Sequence, residues 1–506
     1  MSFHRRIVQS SVSLLLCFFA VSAYSQSDPP IPKDLPEYYK TAEQKAPMAT
    51  RIDLDRLRER GKRNGWQFEV GYTSAFEAPL SRIAATRIPK NFLTLAAAQN
   101  DFSRKANGAA DETLRLAGET PVEYLGKCVP DKSSFSWRDE KMLSPIENQM
   151  TCGSCWAFSA AAAFDGADNI RNGPMTKVSE QHILNCASYD DGRPAGTCGG
   201  GWYYPAFQWM IRTGVANQSK LTYSGKQQIC DARMQGDFRA VSWGFVSSDD
   251  KVPLISQVKQ SICRYGPLSA AMAATPAFQA YVRGYFNEKS SAQVNHAVAI
   301  VGWDDNAGGT GKGAWLIKNS WTQRWGMDGY AWVAYDSNQV GYAAAWVRPL
   351  DRTASVPANA IAAAWNQSLP DLKAAAQANN LQPASLQKAV SVAPYPTGAK
   401  TPQNVSGRRT VWIQYFGDSQ KSKAIELRTK LTEAGYFAPA IEDVSKKGKR
   451  VSNDFEIRYF SVKNRSVADT LSNLVKEAGI GQVRLVRPRG FPALDSLELW
   501  FPEPSP

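Results

Sequence analysis

Gln149-Met150-Thr151-Cys152-Gly153-Ser154-Cys155-Trp156-Ala157-Phe158 is the stretch on which the reading of this chain turns. Two cysteines enclose a glycine and a serine, a tryptophan follows, and a glutamine stands six residues ahead of the second cysteine. A cysteine attacks a carbonyl as its thiolate, so Cys155 needs a proton acceptor and surroundings that draw its pKa below the free value of about 8.5. The chain has three histidines. His4 lies in the leader and His182 in the helix-like run Ser179 to Cys186, where it reads as structural. His296 opens a β-branched apolar run that ends at Gly302 and reads as a buried strand, which would hold an imidazole rigidly and partly out of water. Taken alone, such a histidine is more often a satisfied core residue than a base, and an asparagine such as Asn319 more often a turn former.

The segments combine into one pattern. The nucleophile run, Asn295-His296-Ala297-Val298, and Lys318-Asn319-Ser320-Trp321 with Trp325-Gly326 and Gly329-Tyr330 occur in that order, and together they resemble the papain-like cysteine peptidases. The resemblance implies a nucleophile at Cys155, a base at His296 and an orienting amide at Asn319 whose hydrogen bond Trp321 covers. It also implies an oxyanion donor at Gln149, acting with the backbone N–H of Cys155. Thr197-Cys198-Gly199-Gly200-Gly201-Trp202-Tyr203 resembles the loop that pairs with an extended substrate, with Gly199 in place of the usual asparagine. Trp202, Tyr203, Ala271 and Val294 match the walls of the second subsite, and Gly200, Gly201, Asn295 and Trp321 complete the expected substrate-binding surface. An apolar or aromatic P2 side chain follows, and with no His-rich insertion after Cys198 an endopeptidase follows. The fold implied is α+β: a two-lobed papain-like domain, one lobe helical and one β-rich.

The N-terminus has Arg5 and Arg6, an apolar core from Val12 to Val21 and small residues near Ala23 and Ser25, the anatomy of a secretory signal over residues 1–25. It is too short to span a bilayer comfortably, and no later run offers roughly 20 apolar residues, so an exported protein, periplasmic or extracellular, with no transmembrane segment is expected. With Cys17 in the leader and Cys155 as nucleophile, six cysteines remain, an even number that favours disulfides. The family resemblance implies Cys152 with Cys198 and Cys186 with Cys230; Cys128 with Cys263 is what is left. Three readings compete with the peptidase. A redox-active Cys152/Cys155 pair would suit a thiol–disulfide oxidoreductase, but here the tryptophan follows the motif and the histidine and asparagine segments would have no use. A zinc site lacks a second close ligand pair. A catalytically silent papain-fold binding protein would keep the fold without turnover. No metal or cofactor is expected.

At 506 residues the chain has room for several domains. Residues 26–127 contain a charged helical stretch from Arg51 to Arg63 and an alternating strand through Trp66, Phe68, Val70 and Tyr72. By position this is a prosegment, with a retained accessory region as the alternative, because the charged-aromatic helix pattern of the best-known prosegments is missing. Residues 128–350 form the peptidase, with Gly308 to Gly313 an inserted turn between strands, and 351–406 an Ala/Gln/Pro-rich linker. Residues 407–506 read as a separate small βαββαβ domain. The net charge of +13 and pI near 9.2 are spread along the chain, Lys446, Lys447, Lys449 and Arg450 reading as a hairpin tip. With export, this argues against nucleic acid and for affinity to acidic cell-envelope surfaces through the C-terminal domain, beside a peptide or protein substrate.

Overall fold

The computed structural model describes residues 35–89, 92–116, 124–173, 175–351, 411–434, 436, 438, 441–445, 454–460, 464–477, 482–488 and 496–502. The expected leader with His4 and Cys17, nearly all of the expected linker and the Lys446–Arg450 cluster lie outside the described residues.

The N-terminal region begins with α1 (Leu35–Gln44) and α2 (Met48–Asn64), which stops at Gly65, left-handed at φ 62. Strand β1 (Gln67–Val70) follows, shorter than the alternation suggests, then α3 (Leu80–Ile83) and the long α4 (Phe92–Leu116). The catalytic region comprises β2 (Ser134–Ser136), α5 (Cys155–Asn172), α6 (Glu180–Cys186), β3 (Gly196–Thr197), β4 (Gly200–Gly201), α7 (Tyr204–Arg212) and β5 (Ala240–Phe245). It continues through α8 (Ile255–Tyr265), β6 (Leu268–Met272), α9 (Pro276–Gln279), β7 (Tyr281–Phe286), β8 (His296–Asp304), β9 (Ala314–Lys318), β10 (Tyr330–Ala334) and β11 (Tyr342–Pro349).

One sheet runs in the order β1-β7-β10-β9-β8-β6-β11-β5, with β2 also paired to β8. The N-terminal region thus supplies an edge strand, β1 lying antiparallel to β7. Almost every residue of α5 from Cys155 to Asn169 is buried, as expected of a helix that is apolar or alanine-rich all round. It lies between the helical core, which holds Trp156, Phe164, Phe207 and Trp243, and the sheet, where Ser159 Oγ donates to the Val298 carbonyl. The second core, around Trp137, Phe278, Trp303 and Trp325, fills the β-rich side. Disulfides join Cys152 to Cys198, Cys186 to Cys230 and Cys128 to Cys263. The fold is the expected α+β arrangement, and the glycines at 308–313 form the turn between β8 and β9.

The C-terminal domain contains β12 (Val411–Tyr415), α10 (Asp418–Glu433), β13 (Ile441–Asp443), β14 (Phe455–Tyr459), α11 (Arg465–Glu477), β15 (Val483–Val486) and β16 (Leu497–Trp500). Its sheet order is β13-β12-β16-β14-β15. The βαββαβ pattern is present with one strand more: β16 occupies the centre, parallel to β12 and antiparallel to β14. This domain packs on the catalytic region around α8. The Glu442 carboxylate accepts from the Ile255 N–H at 3.1–3.2 Å, a favourable place for a negative charge at a helix start. Leu254 joins Phe416, Val444 and Trp500 in a buried cluster. The buried Lys259 Nζ, 2.7 and 2.9 Å from the Asp305 carboxylate oxygens, lies 5.1 Å from the Trp303 ring and 5.0 Å from that of Trp412.

Candidate active site

Cys155 is the first residue of α5 and is the free cysteine among the described residues. Its position exposes the thiol to the positive end of the helix dipole. His296 opens β8 and is fully buried, its Nε2 2.8 Å from Asn319 Oδ1. Asn319 Oδ1 also accepts from the Ser320 N–H at 2.9 Å, so this oxygen lies between two donors and the amide orientation is fixed. An amide oxygen can only accept, so Nε2 carries a proton toward Asn319 and Nδ1 is the nitrogen left to exchange one. Nδ1 takes no hydrogen bond from the groups fixing the ring. Trp321 stacks on His296, ring centroids 4.5 Å apart, and shields the His296–Asn319 bond.

Burial raises the Cys155 thiol pKa, but the neighbouring His296, the Thr86 hydroxyl and the Ala85 backbone together outweigh it and bring it down to about 7. Gln149 is buried and held at both ends: Oε1 accepts from Ser320 Oγ at 2.7 Å, while Nε2 donates to the carbonyls of Cys152 and Ile83, each at 2.9 Å. Ser320 therefore orients Gln149 with its side chain and Asn319 with its backbone. In the sequence Ser320 stands out only as part of the run Lys318-Asn319-Ser320-Trp321.

Ile83, Ala84, Ala85, Thr86, Arg87 and Ile88 run across this site. Thr86 Oγ1 is 3.3 Å from Cys155 Sγ. The Thr86 N–H donates to the Asn295 carbonyl at 2.7 Å, the Gly201 N–H to the Ala85 carbonyl at 3.3 Å, and the Arg87 N–H to the Gly201 carbonyl at 2.9 Å. Thr86 and Gly201 form a parallel bridge. Gly200, at φ +115, faces this segment, and a Cβ there would lie 2.1 Å from the Ala85 oxygen. None of these residues was singled out in the sequence. The one local signal is the small trio Ala84-Ala85-Thr86 between Ile83 and Ile88, which acquires meaning only once its cleft is known.

Of the expected second-subsite residues, Trp202, Tyr203, Ala271 and Val294 share one buried cluster with Tyr342 and Ile88 packed against it. Behind Asn319 lies a small cavity lined by Glu147, Glu180, Lys318 and Ser320 on one part and by Phe158, Ala297 and Val298 on another. Lys177 bridges Glu180, Asp165 and Glu147 there. Burial, then Lys177, lowers the Lys318 pKa to about 8, and its ammonium donates to Ser144 O and Oγ at 2.7 and 2.9 Å. His182 lies away from the thiol: its Nδ1 accepts from the Ala216 N–H at 3.0 Å, its ring meets Trp209 edge-on, and burial lowers its pKa to about 4. Among the described residues no cluster of three or more His, Cys, Asp or Glu side chains could hold a metal, and no helix is long and apolar enough to cross a membrane.

The sequence model of the papain family of cysteine proteases matches residues 131–350. Zingipain-2 of Zingiber officinale is 34% identical over 205 residues, 40% of this chain and 86% of that protein. The chain belongs to the papain family of cysteine proteases. Mouse cathepsin K is 35% identical over 229 residues, 43% of this chain and 63% of its own length, and mouse pro-cathepsin H 32% over 239 residues, 46% and 68%. These alignments account for less than half of this papain-family chain, which is a cysteine-type peptidase acting on peptide or protein substrates.

Proposed function

We propose that this papain-family protein is an exported endopeptidase, made silent by residues 83–88 and working through Cys155, His296, Asn319 and Gln149. The Cys155 thiolate adds to the scissile carbonyl carbon, and the oxyanion is stabilised by the Gln149 amide and the Cys155 N–H. His296, carrying the thiol proton, gives it to the leaving amine, leaving a thioester. Water, deprotonated by His296, then attacks the thioester and releases the acid and the free thiol. Asn319 holds the ring so that one nitrogen serves the whole cycle.

The observation that carries the silent state is the direction of residues 83–88. A substrate's residues before the scissile bond would lie on Gly200–Gly201 and its scissile carbonyl at Gln149. Here the Ile83 carbonyl takes the Gln149 amide while the later residues Thr86 and Arg87 sit on Gly201. The chain therefore runs opposite to a substrate, with Thr86 Oγ1 beside the sulfur where a substrate would place a carbonyl carbon. Residues 26–127 would then include the inhibitory segment and 128–350 the peptidase. The apolar cluster of Trp202, Tyr203, Ala271 and Val294 favours an apolar or aromatic P2 side chain. The three disulfides suit an oxidising compartment, periplasmic or extracellular. The net positive charge supports envelope binding through residues 407–506.

Full-length protein, its Cys155→Ala variant and the protein after processing are to be assayed with peptides varied at P2. Turnover confined to the processed, Cys155-containing protein and highest with apolar P2 supports the reading. Equal turnover before and after processing overturns the silent state, and turnover by Cys155→Ala overturns the nucleophile. Co-sedimentation of the full chain with purified envelope polymer, lost at high salt, tests the surface reading; no sedimentation at low salt removes it.

A further inference from the structure

If residues 83–88 must leave the cleft, the chain has to be cut on one side or the other of α4, and the two sides are not equivalent. The helix lies on the free edge of β5, the terminal strand of the large sheet. Asn100 acts on that edge as a neighbouring strand would: its Oδ1 accepts from the Phe245 N–H at 2.8 Å and its Nδ2 donates to the Phe245 carbonyl at 2.9 Å. Gln99 Nε2 donates to the Trp243 carbonyl at 3.0 Å and the Ser103 hydroxyl donates to the same oxygen. Ser242 Oγ donates to Asn107 Oδ1.

The apolar side of α4 is equally committed. Phe92, Ala96 and Phe102 are buried in the helical core with Tyr204, Trp243 and Phe245, and the Phe92 ring meets Phe245 edge-on at 4.9 Å. Every residue of β5 is buried. Losing α4 would strand the backbone groups of Trp243 and Phe245 on an uncovered apolar edge, a costly and aggregation-prone state. The opposite edge differs. Strand β7 exposes Arg283 and Gly284 even with β1 beside it, and β1 is itself half exposed along its length. That edge loses β1 whichever side of α4 is cut, Phe68 leaving Tyr281 and Phe286 in both cases, so the β5 edge alone separates the two cuts.

We infer that the activating cut falls between Ile88 and Phe92, and that α4 remains in the mature enzyme as the permanent cover of β5. The inference rests on the reading of residues 83–88 as inhibitory. Water is added across one peptide bond in Pro89-Lys90-Asn91 or its flanks; residues up to the cut leave, and α4 stays joined to the catalytic region. Phe92 also packs on Tyr342 at 6.0 Å, and Tyr342 is the cross-strand neighbour of Ala271, an expected wall of the second subsite. Retained α4 thereby backs the subsite as well as the sheet.

Full-length protein is allowed to process, purified by size exclusion, and subjected to N-terminal sequencing and peptide mapping. An N-terminus between residues 88 and 92, with peptides of 92–116 present and those of 35–83 absent, is expected. A mature protein that begins at or beyond residue 117 and holds no α4 peptide overturns the inference. Asn100→Ala gives an independent readout: it lowers the Tm of precursor and processed enzyme alike, each by about 2–4 °C. A drop in the precursor with none in the processed enzyme shows that α4 has left. The inhibitory reading fails differently, by a precursor as active as the processed enzyme whatever its N-terminus.

Discussion

At the scale of residues the site is a set of side chains each held by a second one. Asn319 holds one imidazole nitrogen of His296 and leaves the other, and Ser320 holds the oxygen end of the Gln149 amide. Ser320→Ala removes the bond to Gln149 Oε1 and leaves the amide held by the Cys152 carbonyl alone once residues 83–88 have gone, and kcat is expected to fall about tenfold with KM nearly unchanged, read from steady-state kinetics of the processed enzyme. An unchanged kcat would remove Ser320 from the account. The thiol supplies a second prediction. In the precursor its pKa is about 7, the His296, Thr86 and Ala85 contributions together outweighing burial. Thr86→Val removes one group that favours the thiolate, so the thiolate absorbance near 240 nm should titrate at higher pH than in the unmodified precursor. A midpoint that does not move would show that the hydroxyl has no hold on the sulfur.

At the scale of elements, the distribution of charge beneath α5 governs stability. Burial raises the Asp165 carboxyl pKa to about 6 against the pull of Lys177, with Glu180 adding to the rise. Between its unfolded pKa and about 6 the folded protein holds a proton that the unfolded chain has released, so this residue adds stability as pH falls through that window and loses it as pH rises through about 6. The urea midpoint of Asp165→Asn should gain on that of the unmodified protein as pH rises from 5 to 7, the opposite pull of His182, whose pKa burial lowers to about 4, being common to both; a difference that does not change with pH contradicts the assignment. The same elements show what the sequence made legible. The segments around Cys155, His296 and Asn319 were readable because each carries several residues with chemical reasons to stand together, and strand β8 has an unbroken apolar run from Ala297 to Val301 before its internal Gly302. Residues 83–88 were not readable, because small residues that fit an occupied cleft look like any extended linker. Helix α4 was hidden for a related reason: Gln99, Asn100 and Ser103 are ordinary surface residues until an unpaired strand edge faces them. Strand β16 is four residues long, too short for its period to register, although it occupies the centre of its sheet.

At the scale of the whole molecule, the C-terminal domain is seated on the catalytic region where the sequence suggested only a tethered module. Trp412 lies in the core cluster of the β-rich side and closes over the Lys259–Asp305 pair. Trp412→Ala would remove a large buried ring and open that pair to water, at about 3–5 kcal/mol by the usual scale of such truncations. The loss should appear in urea unfolding of the catalytic region, followed through its own tryptophans. Destabilisation confined to residues 411–501 would show that the contact is energetically idle. The molecule as a whole depends on one claim: Cys155 is the nucleophile, and residues 83–88 lie over it until they are cut away. A thiol-directed epoxide followed by peptide mass mapping tests this most directly, applied to the same preparation before and after processing. The expected result is modification at Cys155 alone, fast in the processed protein and at least about a hundredfold slower in the precursor; equal labelling of the two, or a folded processed protein whose Cys155 stays unmodified, would contradict it.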